Sequence, residues 1–217
     1  EMADKEKNAE MQYRSGCIYR DGRGVCKDLS KAFKYFKKAA DQNHIHGIIE
    51  CSLCYKKGIG TDINEKEALK LIKIAIDKGS ADALVILARW HLNSFPKRYK
   101  EAFQLLLKAN EKNHPDSPSL IASLIEKNKI KLDEDNKFNK IELYKKSCNL
   151  GSYDGMFNMA INYHYGNNID KNQMEAIRLY ILVSKCNKSN RKKSLAIFLL
   201  AKLYEEIEEY QNAYNLA

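Results

Sequence analysis

Proline and glycine are scarce: three prolines and ten glycines in 217 residues. Proline at this level leaves long helices unbroken and argues against Pro-rich linkers or collagen-like structure. Long apolar runs are also missing. The longest, Leu195 to Ala201, has seven residues, against the roughly 18–20 that a membrane-spanning helix needs. Membrane insertion is therefore not expected. The opening stretch EMADKEKNAEMQ is charged and has no apolar core of the kind a secretory signal carries. The chain opens on Glu1, so a signal removed upstream stays open as an expectation. Histidine is sparse, and its five copies share no motif.

Acidic charge is in the minority, and the net charge is +9. A basic chain raises nucleic acid or an anionic surface as a partner. The lysines, however, alternate with acids, as in KDLSKAFKYFKKAAD, the pattern of a solvated helix face. The densest basic cluster is Lys185, Lys188, Arg191, Lys192 and Lys193. It reads first as a solvated linker, and nucleic acid is the less favoured partner. Hydrophobic residues make up 44% of the chain, enough to build a core. The six cysteines, at 17, 26, 51, 54, 148 and 186, have irregular spacing. They read as free thiols of a reducing cytoplasm rather than a disulfide framework.

The dominant signal is a repeat. A shift of 36 carries Tyr19 to Tyr55, Gly22 to Gly58, Gly24 to Gly60, Ala32 to Ala68 and Ala39 to Ala75. A shift of 144, four such periods, carries Tyr19 to Tyr163, Gly22 to Gly166 and Ala32 to Ala176. The units are 8–43, 44–79, 80–113, 114–151, 152–187 and 188–217, read as one domain over 1–217. The last unit, with Leu200-Ala201-x-x-Tyr204 and then Ala213, stops inside its second helix. Apolar and small residues at helical spacing mark two buried stripes per unit. In the first unit these are Met11, Ser15, Gly16, Ile18 and Tyr19, then Ala32, Tyr35, Phe36 and Ala39. Gly16 and Ala32 let helix backbones approach. Gly22 ends the first helix in a left-handed conformation, and Asp28 caps the second. One helix pair cannot bury its stripe alone, so such units stack in series.

Met11, Gly16, Tyr19, Gly22, Gly24, Val25, Asp28, Lys31-Ala32, Tyr35 and Lys38-Ala39-Ala40 together resemble the Sel1-like repeat, a relative of the tetratricopeptide repeat. Units two and five match well; three, four and six have drifted. The resemblance implies an all-α fold, a right-handed superhelical solenoid of about five to six helix pairs. It implies an adaptor or scaffold that binds another protein or a peptide. One family branch stitches its repeats with disulfides. Here Cys148 takes the first of those places and Met156 the second, so that branch is not supported.

The outer side of each first helix is expected to line a concave groove. That row contains Tyr13, Arg20, Ile49, Leu53, Val85, Arg89, Phe157, Ile161 and Phe198, with Glu10, His46, Asp82, Asp116, Asp154 and His164 among the other positions. Tyr13, Ile49, Leu53, Val85, Phe157 and Ile161 are the candidates to stand exposed for a partner's side chains. Arg89 is the polar anchor, with an internal pair to Asp82 or Asp116 as the competing reading.

Catalysis is not expected. Cys51-x-x-Cys54 lacks a second ligand pair for structural zinc, and the repeat register buries both thiols. Completion of a site by His44 and His46 is the weaker reading. His91 stands at a tyrosine position. Gly22-x-Gly24 and Gly58-x-Gly60 follow helices and lack the lysine of a phosphate loop. No metal, cofactor or small-molecule substrate is expected. The alternative function is a regulatory arm of a larger signalling enzyme, supported by the chain's end at Ala217 inside a repeat without a polar cap.

Overall fold

The computed structural model describes residues 8–130, 138–186 and 191–216, with side chains described through Glu208. Among these residues there are eleven α-helices and no strand. They are α1 (Ala9–Asp21), α2 (Leu29–Asp41), α3 (Ile45–Lys57), α4 (Glu65–Asp77), α5 (Ala81–Asn93), α6 (Tyr99–Glu111), α7 (Ser117–Glu126), α8 (Lys140–Asn149), α9 (Tyr153–Tyr165), α10 (Gln173–Ser184) and α11 (Arg191–Leu216).

The turn chemistry read in the sequence sets the helix ends. Gly22, Gly58 and Gly166 terminate α1, α3 and α9 in the left-handed region, at φ 71°, 68° and 69°. The following helices start on a side-chain cap. Asp28, Asn64 and Asn172 accept from the backbone N–H of Lys31, Glu67 and Glu175 at 2.9, 3.0 and 3.0 Å. A further bond closes each loop. The backbone N–H of Asp28, Asn64 and Asn172 donates to the carbonyl of Tyr19, Tyr55 and Tyr163. The loop after α5 has no glycine, yet Arg98 N–H donates to the His91 carbonyl at 3.1 Å. His91 therefore holds the tyrosine place in backbone geometry too.

The second helices bury a repeated triad: Ala32, Phe36 and Ala39 on α2, Ala68, Ile72 and Ala75 on α4, Ala102, Leu106 and Ala109 on α6. On α10 the triad is Ala176, Tyr180 and Val183. Burying each large member contributes about 1.5–3 kcal/mol. The small members set the spacing. A Cβ on Gly16 would lie 2.5 Å from the Phe36 ring, and one on Gly47 2.6 Å from the Ala39 Cβ.

Contacts divide the chain into two compact units, Glu1–Leu87 and Ala88–Ala217, with the division inside α5. In the first unit α1 packs on α2, α2 on α3 and α3 on α4. Its core gathers Ala32, Phe36, Cys51 and Cys54, flanked by Tyr13, Tyr19 and Tyr55. In the second unit α6 packs on α7, α7 on α8, and α8 to α11 stack in sequence.

Two expectations change. Met11 and Ile18, placed in the buried stripe, are 43% and 39% exposed, and Gln12 is buried instead. Among the described residues no helix precedes α1 to cover them. Gln12 Oε1 accepts from Gln42 Nε2 at 2.7 Å, which satisfies its polar end. The last unit, expected as a helix pair, is a single helix through Leu216. No glycine or proline interrupts Arg191–Leu216, so nothing in that segment turns the backbone. Lys188 of the basic cluster lies outside the described residues.

Candidate partner-binding surface

In the first unit the row is built on α1 and α3. The Tyr13 ring is half-buried, 6.1 Å from Phe36, 5.1 Å from His44 and 5.7 Å from His46. Burial and then the neighbouring Cys17 push its phenol up to about 12. His44 caps α3: its Nδ1 accepts from Gly47 N–H at 3.1 Å, and its Nε2 lies 3.0 Å from Glu10 Oε2. Arg14 lies on the same carboxyl group, and these two partners hold Glu10 below the usual carboxylate range, Arg14 first. Arg20 donates to Asp21 at 2.9 Å and to Glu50 at 2.8 Å. The hydrogen bond to Asp21 is the main reason its guanidinium is held even more firmly charged. Leu53 is half-buried. Ile49 and Val85 are 6% and 4% exposed.

In the second unit the row is a line of charge. Arg89 Nη2 donates to Asp116 Oδ2 at 3.1 Å and lies 3.9 Å from Asp154. Lys192 pairs with Asp154 at 2.8 Å. Asp116 also accepts from Ser152 Oγ at 2.6 Å, and Ser152 caps α9. Four helices thus meet through Arg89, Asp116, Asp154 and Lys192. Their side chains keep 44%, 33%, 25% and 39% exposure, so solvent and ligands reach them. Lys192 also stands 5.8 Å over the Phe157 ring. Ile161 is half-buried and Phe198 is 63% exposed.

The expected exposure of the apolar row therefore fails at Ile49, Val85 and Phe157, each of them buried. First helices of neighbouring repeats touch, α1 with α3 and α9 with both α7 and α11. Their side chains close over row positions that a helical wheel of one repeat leaves open. Asp116, Asp154 and Lys192 are charged members of the row that the expected apolar stripe leaves out. A signal was there: an acid recurs at the first row position as Glu10, Asp82, Asp116 and Asp154.

The residues singled out for chemistry are packed. Cys51 and Cys54 are buried, and burial pushes their thiols up to about 12 and 11. Burial lowers His91, which is half-buried. All six cysteines are free. Among the described residues no group of three or more metal-ligating side chains comes together, and no helix is long and apolar enough to cross a membrane.

Paired helices stacked through small residues, with polar groups aligned along the first helices, define a helical-repeat solenoid, a fold that commonly mediates protein–protein interaction. The family model for the Sel1 repeat matches residues 9–44, 47–80, 81–114, 141–152 and 154–186, and the chain belongs to that family. Its fold is similar to that of a Sel1 repeat protein from Oxalobacter formigenes, at TM-score 0.71 and 24% identity, over 85% of this chain and 76% of that one. It is similar to a protective antigen of uropathogenic Escherichia coli with an SLR fold, at TM-score 0.62 and 20% identity, over 94% of this chain and 43% of that one. It is also similar to an immunity protein from Pseudomonas aeruginosa, at TM-score 0.61 and 13% identity, over 91% of this chain and 82% of that one.

Proposed function

We propose that the protein is a non-catalytic scaffold that binds a polypeptide along the first-helix row, with the second unit as the main docking surface. One observation carries the reading. Arg89, Asp116, Asp154 and Lys192 bring two cations and two carboxylates from four helices to one half-exposed line. Side-chain pairs that stay half in water exchange partners at little cost, since each is worth below about 1 kcal/mol. A polypeptide can replace Asp116 on the Arg89 fork with its own carboxylate, a bidentate and directional contact. Exposed Phe198 and half-buried Ile161 flank the line and supply apolar area. In the first unit Tyr13, Arg20 and Leu53 are the candidate contacts of that unit's own row. The six free thiols suit a reducing compartment, the cytoplasm in this reading.

The test is affinity capture from the source cell. A polypeptide captured by the wild-type chain is lost with Arg89→Glu and with Ile161→Asp, and kept with Lys70→Glu on α4, away from the row. Capture that survives both row variants sinks the assignment.

A further inference from the structure

Among the described residues, α11 leaves open a face that is covered by the following helix on α1, α3, α7 and α9. The repeat register aligns Ala201 on α11 with Gly16, Ser52, Ala88, Ala122 and Ala160. Those five residues are buried. In α1–α2, α3–α4, α7–α8 and α9–α10 the second helix of the pair packs on the first. On α11 the equivalent Ala201 is exposed. Ile197 and Tyr204, one turn to either side, are 49% and 50% exposed. The opposite side of α11 holds Ala196, Leu199 and Leu203, buried against the stack. Because α11 runs on as one helix to Leu216, it does not itself turn back as a second helix.

The charges on α11 indicate what covers this face. Arg191 and Lys193 stand in its first turn, where cations oppose the helix's own dipole, while Lys192 points to Asp154 on the other side. Glu205 and Glu208 stand beyond the apolar patch, four and seven residues past Ala201. The helix is therefore basic, apolar, then acidic along one side. That order is complementary to itself when reversed.

We propose that this face seats a second copy of the chain, docked as an antiparallel α11 pair across a two-fold axis. In such an isologous contact each patch meets its own image. Ile197, Ala201 and Tyr204 meet at the crossing, where the small Ala201 lets the axes come within about 8 Å. Arg191 of one protomer lies against the partner's Glu208, and Lys193, whose Nζ also donates to the Cys186 carbonyl at 2.8 Å, adds positive charge beside the partner's Glu205. The reversed dipoles, unfavourable to these cations within one helix, then favour them across the pair. The proposal is separate from the charged line, since Arg89, Asp116, Asp154 and Lys192 take no part in it, although Phe198 borders both faces.

Sedimentation velocity of the full chain across a dilution series is the test. The expected mass is twice that of the chain at high concentration, falling to that of the chain on dilution. Ala201→Glu weakens association at least about tenfold while leaving the helical spectrum and melting unchanged. Arg191→Glu and Glu208→Arg each weaken it, and the two together restore it, because the swapped charges again pair across the axis. This rescue decides the matter even if Ala201→Glu disturbs folding. A single-chain mass at every concentration overturns the proposal, and is also the result if a helix of a different protein fills the face. Dimers that ignore both the alanine and the charge variants overturn it as well.

Discussion

Arg89 on α5 donates to the carboxylate of Asp116 at 3.1 Å, and Asp116 begins α7 in the next repeat. The pair spans two first helices while staying 44% and 33% exposed. It marks register between repeats and remains accessible to a competing carboxylate. Removing it as Arg89→Ala shifts stability by less than about 1 kcal/mol, because solvent already screens both charges. Urea unfolding reads this directly, and a loss several times larger would show the pair to be a core element rather than an accessible one.

Gly16 and Phe36 are in close contact between α1 and α2. A methyl at Gly16 would stand 2.5 Å from the ring. Since Phe36 is fully buried and cannot swing aside, Gly16→Ala destabilises the first unit by about 1–3 kcal/mol. Thermal unfolding followed by circular dichroism checks it. An unchanged midpoint would mean that the helices separate more easily than the packing indicates.

The caps at Asp28 and Asn172 serve equivalent helices in different units. Asp28→Ala or Asn172→Ala costs about 1 kcal/mol each, as the Lys31 or Glu175 N–H loses its acceptor. The two sites are independent, so the double variant gives the sum in chemical denaturation. A double variant no worse than either single one would contradict separate capping roles.

His164 is 1% exposed, its Nδ1 lies 3.3 Å from the Tyr180 hydroxyl, and its Nε2 makes no hydrogen bond with Glu206 at 3.6 Å. Burial holds it below the ordinary imidazole value of 6.5, outweighing the pull of Glu206. The unfolded chain therefore takes up the proton first as pH falls. The contribution of neutral His164 to stability is complete above pH 6.5 and shrinks as pH drops toward the lower folded-state value. His164→Gln flattens that slope. A stability profile with the same slope in wild type and variant would remove His164 as its source.

The thiols should separate by burial. Cys26 is exposed, whereas Cys51 and Cys54 are buried and held far from the thiolate form. A thiol reagent at neutral pH labels Cys26 quickly and reaches Cys51 and Cys54 only on unfolding. Fast labelling of Cys51 in the native protein would mean that α3 opens locally.

The fold was legible because its determinants are local. Gly22, Asp28 and the Ala32, Phe36, Ala39 spacing each state a turn, a cap or a buried stripe within one repeat. The row was less legible because its exposure is set between repeats. Phe157 faces outward on its own helix, and its burial depends on α10 and α11: the Tyr180 ring lies 6.4 Å away and Lys192 covers its face. Asp154 reads as an isolated acid until α5 and α11 bring Arg89 and Lys192 to it. The single last helix was missed for a different reason. Ala213 fits a second-helix pattern, but nothing between Tyr204 and Ala213 breaks a helix.

The proposed polypeptide docks along the Arg89–Asp116–Asp154–Lys192 line. The most direct measurement is the dissociation constant of the captured polypeptide, titrated by calorimetry against wild-type chain and Arg89→Glu, with melting recorded for both. The expected result is affinity weakened at least about tenfold, a loss of roughly 1.4 kcal/mol or more, at an unchanged melting temperature. Equal affinity in the two proteins would contradict it.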